Sequence, residues 1–422
     1  MLRLDNRKVN TYKGMKEINN VAVLGGGAAG FFAALSVKKH HPQAKVILYE
    51  KTTKVLAKVK ISGGGRCNVT NSDSDINTLC MAYPRGGKQL RNLFYRFNTT
   101  DTQEWFKSRG IPLKSEADGR VFPVSNKSQS IIDCLMQEAE DLGIDLYYNK
   151  TITSLKKDGI LWNLSIKNET ATKNFNTVVI ATGGNPKISG FDWLKTLNHK
   201  IIAPVPSLFT FNMPNEKITE LMGVTVENVF IKIKEHGIEV SGPLLITHWG
   251  MSGPTILKGS AFGAQKLAKC QYQFELLINW VGEKNTTILF NQLQAFAKQN
   301  PQKTLFNQKA FSLPQRLWQF LVQKNNIPQT KKWIDLSKKE GRRFVECLVN
   351  DKYLVSGKTT FKDEFVTCGG VSLSSINLKT MQSKASPGLY FAGEVLNIDG
   401  ITGGYNFQSA WTTGFVAGQL ET

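Results

Sequence analysis

The chain has 422 residues, 41% hydrophobic and 20% charged, ordinary values for a folded protein that exclude a disordered, collagen-like or coiled-coil chain and leave room for two or three domains. Lys and Arg total 53 against 33 Asp and Glu, a net charge of +20. Such an excess attracts nucleic acid, anionic membrane or anionic substrates, or keeps a lysine-rich protein in solution.

Residues 1–17 read as an N-terminal extension, with Met15 an alternative start. They are polar and lack the apolar core of a secretory signal. Residues 20–25 read as a short buried strand, Phe31–Lys39 as a helix and Val46–Glu50 as a second strand, the β-turn-α-β order of a parallel doubly wound sheet. A Lys- and Gly-rich loop covers 51–71. Residues 129–142 predict an amphipathic helix, 144–155 a strand, and 178–184 a buried strand ending in glycines. After Pro204 and Pro206 the character changes: 208–280 alternates apolar and polar side chains, as antiparallel strands do. Residues 286–345 read as helices with Gln- and Lys-rich faces. From Phe365 the α/β pattern returns, with a last helix through 407–420. The expected organisation is a nucleotide-binding domain in two parts, 18–205 and 365–422, interrupted by an insert over 206–364. No apolar run reaches the roughly 20 residues of a membrane span. The six cysteines, at 67, 80, 134, 270, 347 and 368, show no C-x-x-C spacing and no accompanying His cluster. A metal site or disulfide framework is not expected, and a reducing cytoplasm is.

Gly25-x-Gly27-x-x-Gly30 follows a strand and opens a helix. Gly25 permits the turn, Gly27 lets a diphosphate approach the backbone, and Gly30 allows close helix–strand packing. The anion then meets the helix N-terminus, with Ala28 and Ala29 in its first turn. Glu50, at the end of the second strand with Lys51 after it, is placed to accept from a ribose with a free 2′-hydroxyl, which favours FAD or NAD over NADP at this site. Ala181-Thr182-Gly183-Gly184 ends a strand as flavoproteins do. Leu389–Glu394 with Asp399-Gly400 resembles the segment that meets the ribityl chain in two-dinucleotide-binding flavoproteins. Ser62-Gly63-Gly64-Gly65-Arg66-Cys67-Asn68-Val69-Thr70-Asn71 offers backbone amides and polar side chains to a diphosphate and a flavin edge. Cys67 is a proton donor, a redox thiol or, the favoured reading, a packed small side chain. Gly403–Gln408 precedes the last helix, whose N-terminus supports either negative charge on a reduced flavin or an ordinary cap. His248, in Thr247–Pro254, reaches the cleft as an acid or is structural. Basic clusters occur at Lys51, Lys54, Lys58 and Lys60, at Arg85, Lys88, Arg91 and Arg96, and around Trp333 with Lys324, Lys331, Lys332, Lys338, Lys339, Arg342 and Arg343. They read either as RNA-binding surface or as solvated faces.

Taken together, GGGAAG at 25–30, SGGGRCNVTN at 62–71, ATGG at 181–184, THWGMSGP at 247–254 and GGYNFQ at 403–408 resemble a bacterial family of FAD-dependent oxidoreductases. The family is linked to aminoacetone oxidation, reduction of bile-acid intermediates and dihydrouridine formation in large-subunit ribosomal RNA. The resemblance spans nearly the whole chain and does not single out a substrate. It implies a Rossmann-like FAD domain with an inserted β-barrel and helical domain. It implies further that Gly25, Gly27, Gly30 and Glu50 hold the adenosine diphosphate, that Ser62, Gly63, Gly65, Arg66, Cys67, Asn68 and Thr70 line FAD, and that Gly393, Glu394, Asp399, Gly404, Asn406 and Phe407 lie near the ribityl chain and isoalloxazine.

The expected activity is reduction of a conjugated C=C bond, with Cys67, His248 and Tyr405 as candidate proton donors. No second glycine motif is present, so NAD(P)H, if it is the donor, visits the flavin cleft transiently. The charge favours ribosomal RNA as partner, with uridine in 23S rRNA as substrate. The rivals are a small-molecule flavin oxidase or reductase and a non-catalytic RNA-binding flavoprotein.

Overall fold

In a computed structural model of the chain, residues 19–360 and 366–421 are described. The expected extension 1–17 and the expected boundary at 364/365 lie outside them.

Asn20–Leu24 (β1) is buried from Val21 onward, as a strand covered on both faces must be. It is an interior strand of a seven-stranded sheet. On one side it pairs in parallel with Lys45–Tyr49 (β2), which pairs with Asp145–Tyr147. On the other it pairs in parallel with Thr177–Ile180, which pairs with Leu389–Phe391. Two short antiparallel strands, Gln382–Ser383 and Ile376–Asn377, finish that edge. The strand order reverses at β1, and the crevice at such a reversal is where ligands bind in open α/β sheets. Helix Ala28–His40 (α1) lies against the last helix, Tyr405–Ala417. Small residues let the two approach: a Cβ at Gly414 would lie 2.6 Å from the Ala29 carbonyl oxygen, and one at Gly418 2.3 Å from that of Ala33.

The segment expected as one strand over 144–155 is two. Asp145–Tyr147 belongs to the parallel sheet, and Ile152–Asp158 starts a separate antiparallel sheet with Leu161–Ile166 and Lys173–Phe175. Asn149, at φ +57°, turns the chain between them.

The antiparallel strands of the insert close into a barrel. Thr210–Asn212, Gly250–Ser252, Ile238–Thr247, Thr225–Ile233, Gln273–Asn279 and Asp351–Ser356 pair in that order, and Lys358–Thr359 pairs back to Thr210–Asn212. Asp351–Ser356 and Lys358–Thr359 are separated only by Gly357, at φ +110°, so one bent strand serves both edges and leaves none open. Helix Pro254–Lys269 packs on the 225–247 hairpin through Gly259 and Gly263, which face Ile231 and Ile238. A helical annex, Thr286–Gln299, Gln315–Lys324 and Lys338–Val349, buries Trp318, Trp333 and Phe344. Two buried apolar clusters result, one between Val21 and Leu420 around the parallel sheet, the other between Phe209 and Val355. The chain crosses between them on two strands that lie side by side, Ile201–Ser207 and Val366–Val371.

Candidate active site: a glycine cradle at the ends of the parallel strands

The turn after β1 carries two glycines whose side faces are filled and one whose face is open. A Cβ at Gly25 would meet the Ala181 carbonyl oxygen at 2.3 Å, and one at Gly30 would meet the Gly25 carbonyl oxygen at 1.8 Å. At Gly27 no atom lies within 4 Å. Gly27 is also the N-cap of α1, with no side-chain cap and no acid in the first turn, and its backbone (φ −91°, ψ −173°) is ordinary extended geometry. The first amides of a 13-residue helix are therefore left to an anion beside an open glycine face. Gly64, Gly65 and Gly183, all at positive φ, have equally open faces. The open face at Gly27 beside the α1 amides is a cradle that a side chain would fill, and it fits a dinucleotide diphosphate.

Glu50 stands at the end of β2. Its Oε2 accepts from the Gly26 N–H at 2.9 Å and its Oε1 from the Thr52 N–H and hydroxyl, both at 2.9 Å. Three of roughly four acceptor positions are thus filled, which fixes the carboxylate and leaves about one for a ribose hydroxyl. Lys51 and Thr182 are exposed at the rim, and Ala181 donates its N–H to the Leu24 carbonyl inside the sheet.

The 62–71 loop is held mainly by its own side chains. Gly63, Gly64, Gly65 and Cys67 all adopt left-handed φ, between +58° and +82°. The Ser62 hydroxyl donates to the Val59 carbonyl. Arg66 lies over the Phe122 ring, 3.9 Å from its centroid, and pairs with Glu116 at 2.7 Å. Asn68 accepts from the Gly404 N–H at 2.9 Å and donates to the Thr70 carbonyl at 3.0 Å. The Thr70 hydroxyl donates to Gln408 at 2.6 Å, as does Thr102 at 2.8 Å. Arg66, Asn68 and Thr70 therefore shape the wall. Arg66 Nη1, the Asn68 amide and the Thr70 hydroxyl have partners within the protein. Cys67 is fully buried, and burial pushes its thiol up to about 12. It is a packed thiol, with no exposed sulfur to act as a redox or proton-donating group.

The return segment is organised the same way. Gly393, at φ +76°, leaves its Cβ direction against Ala29 and donates its N–H to the Thr413 hydroxyl. Glu394 accepts from the Thr367 N–H at 2.8 Å and from Lys58 at 2.6 Å. Lys58 and Glu394 come from opposite sides of β1, so their pair spans the crevice. Asn406 exchanges hydrogen bonds with the Gly400 N–H and carbonyl. Phe407 stacks on Trp411 with centroids 5.6 Å apart. Asp399 is wholly buried and is held by Arg85, by two hydrogen bonds, and by the Ser207 hydroxyl at 2.8 Å. Burial pushes its carboxyl up, and the Arg85 guanidinium opposes that. Arg85 also donates to the Ala261 carbonyl of the insert. Asp399 and Asn406 thus brace the wall, and Arg85 is engaged within the protein.

Tyr405, at the first turn of the last helix, lies against Gly400 and Gly403, and its phenol is raised to about 12, chiefly by burial. The Tyr83 hydroxyl donates to the Tyr405 carbonyl at 2.6 Å. His248 sits in the exposed turn of a barrel hairpin, its ring 4.2 Å from that of Trp249. Among the described residues no side-chain hydrogen bond joins it to the Rossmann part. Trp333 is buried against Phe296 and Trp318, so it offers no face to a nucleobase. Around it, Lys331 pairs with Glu340 at 2.7 Å, Lys332 reaches Gln302 and Arg343 donates to the Asn325 carbonyl, whereas Lys338, Lys339 and Arg342 are exposed. Among the described residues no group of acids, His or Cys could hold a metal ion, and all six cysteines are free. Sequence reasoning missed the inward partners Gln408, Thr102 and Tyr83: a lone Gln, Thr or Tyr in a helical stretch carries no local signal of a contact hundreds of residues away.

The fold, with an open glycine face at the first helix N-terminus, is that of a Rossmann-type FAD-dependent oxidoreductase. The chain belongs to the HI0933-like protein Rossmann domain family, whose profile matches residues 19–420. It is 28% identical over 406 residues to the ribosomal RNA dihydrouridine synthase of Escherichia coli K12, covering 94% of this chain and 96% of that one. It is 25% identical over 413 residues to the protein of the same name from Haemophilus influenzae, covering 95% and 98%. It is 24% identical over 410 residues to the 3-dehydro-bile acid delta(4,6)-reductase of Clostridium scindens, again covering 95% and 98%.

Proposed function

We propose that this enzyme reduces the conjugated C=C bond of uridine in 23S ribosomal RNA to dihydrouridine, with NAD(P)H as the electron source, in the cytoplasm. Uracil and a bile-acid enone share one chemical unit, a C=C bond conjugated to a carbonyl. Relatives named for each are therefore compatible with one reaction type. The observation that favours RNA is the charge of +20. A polyanion gains affinity from such a surface by releasing many counterions, whereas a small acid with one or a few charges gains far less.

FAD, when bound, supplies the two-electron hydride chemistry. The chain's own part is to hold the diphosphate at the α1 amides, to fix a ribose through Glu50, and to deliver a proton to the carbon next to the carbonyl. Tyr405 is the donor this reading favours. It is half-buried at the start of the last helix beside Gly400 and Gly403, and burial keeps its phenol protonated across the physiological range. Cys67 is sealed in the core, and His248 is exposed on the barrel.

Deleting the gene and mapping dihydrouridine in 23S rRNA by mass spectrometry tests the substrate. Loss of one modified site, restored by the wild-type gene and not by a Tyr405→Phe copy, is the expected result. An unchanged map removes uridine in rRNA as the substrate.

A further inference from the structure

We propose that the solvent face of the helix Gly87–Phe94 is a docking surface for single-stranded RNA, with phosphates on Lys88 and Arg91 and an unpaired base stacked on Tyr95. The proposal rests on the ribosomal RNA reading above.

The helix buries Gly87, Leu90, Leu93 and Phe94. Its exposed positions are Lys88, Gln89, Arg91, Asn92 and the capping Tyr95, with no acid among them. Lys88, Arg91 and Tyr95 are spaced three and four apart, which sets them in one stripe about 10 Å long. Tyr95 is 64% exposed, and Met81, on the helix Ile76–Met81 packed beside it, is 68% exposed. These are the two most exposed large apolar side chains among the described residues. Large apolar groups left in water beside unpaired cations match a ligand with both π-faces and negative charge. Asp75, before the neighbouring helix, caps it through Thr78, and Arg91 acts on its charge.

The surface is fixed to the wall of the site. The elbow before the helix is held three ways: Tyr83 to the Tyr405 carbonyl, Arg85 to Asp399, and Gly86 against Ile398. The other basic cluster fits RNA less well, because Trp333 is in the core and Lys331 and Arg343 already have partners within the protein. Arg96 is likewise engaged, with Glu421 and the Lys379 carbonyl.

The test uses the full-length flavin-loaded protein and a labelled oligouridine of about a dozen nucleotides, with binding read by fluorescence anisotropy over a range of salt. Replacing Lys88 and Arg91 together by Ala is expected to lower the slope of log affinity against log salt by about 1.4. Tyr95→Ala is expected to weaken binding about 5- to 150-fold, and Tyr95→Phe to keep it within about twofold, because the ring and not the hydroxyl does the stacking. All three variants should be reduced by NAD(P)H at the wild-type rate, which shows an intact fold and cofactor site. Wild-type affinity in the Lys88/Arg91 and Tyr95→Ala variants overturns the surface while the substrate reading stands. Weakened binding together with an unchanged dihydrouridine map keeps the surface and removes the substrate. No oligouridine binding by the wild type overturns the proposal.

Discussion

A methyl group added at Gly30 and one added at Gly27 meet opposite surroundings. At Gly30 it would lie 1.8 Å from the Gly25 carbonyl oxygen, against rigid backbone. Gly30→Ala is therefore expected to cost at least about 3 kcal/mol in thermal unfolding of the flavin-free protein. At Gly27 no protein atom lies within 4 Å, and the backbone suits any residue. Gly27→Ala should leave flavin-free stability within about 0.5 kcal/mol and weaken FAD binding at least about tenfold, measured by flavin fluorescence, because the methyl occupies the place of the diphosphate. Equal losses of stability in the two variants would contradict the cradle. Cys67 gives a third residue-scale expectation. With its thiol near 12, about one molecule in ten thousand is thiolate at pH 8. Peptide mapping after alkylation at that pH should find Cys67 unmodified in the folded protein and modified only in denaturant.

The elements are joined at a few buried polar nodes. Arg85 and Asp399 link the helix elbow at 83–86 to the segment before the last helix, and Ser207 and the Ala261 carbonyl tie both to the insert. Removing one partner of a buried pair leaves the other charge uncompensated. Arg85→Ala is expected to cost about 3–5 kcal/mol, and an added Asp399→Asn to recover part of it, measured by denaturant unfolding of the singles and the double. Additive losses would mean that the two do not act as a pair. Such nodes explain where reading the sequence stops. The turn after β1, Glu50 and the parallel strands were legible because each is written in a short run with its own period or glycine spacing. The partners of Asn68, Thr70, Asp399 and Asn406 were not, because polar residues in a glycine-rich motif look the same whether they face a ligand or a distant carbonyl. Trp333 misled for a related reason: lysines before and after an aromatic read as a surface, yet Trp333 opens a single turn, Trp333–Asp335, that seats its ring against Phe296 and Trp318 while Lys332 stays in solvent.

At the scale of the molecule, two bulk properties lead to measurable consequences. Burial raises the thiols of Cys67 and Cys347 and the phenols of Tyr49, Tyr390 and Tyr405 to about 12, from ordinary values of 9.0 and 10.0. The folded state keeps these protons after the unfolded chain has released them. Unfolding free energy must then fall as pH rises from about 9 towards 12. Denaturant titrations at stepwise pH should show that decline, and a flat profile over the range would contradict the buried setting of these groups. The charge of +20 has a different signature. On the proposed function, turnover on an rRNA fragment should drop steeply with salt while NAD(P)H-driven flavin reduction changes little, since many phosphate contacts would enter only the first. The composition breaks near 206 and 365 led to the expectation of an interrupted organisation, and the second of them falls outside the described residues. The closure of the barrel was not legible in the sequence, because it depends on one bend at Gly357 that makes a single strand serve two edges.

The two crossings between the halves, Ile201–Ser207 and Val366–Val371, run antiparallel as neighbours and share hydrogen bonds. An excursion that departs and rejoins through one ladder behaves as a cassette, since its two ends are already together and closing that loop adds little entropy to be overcome. The barrel and its helical annex can then be remodelled as one unit, with the parallel sheet and its glycine turn left as they are.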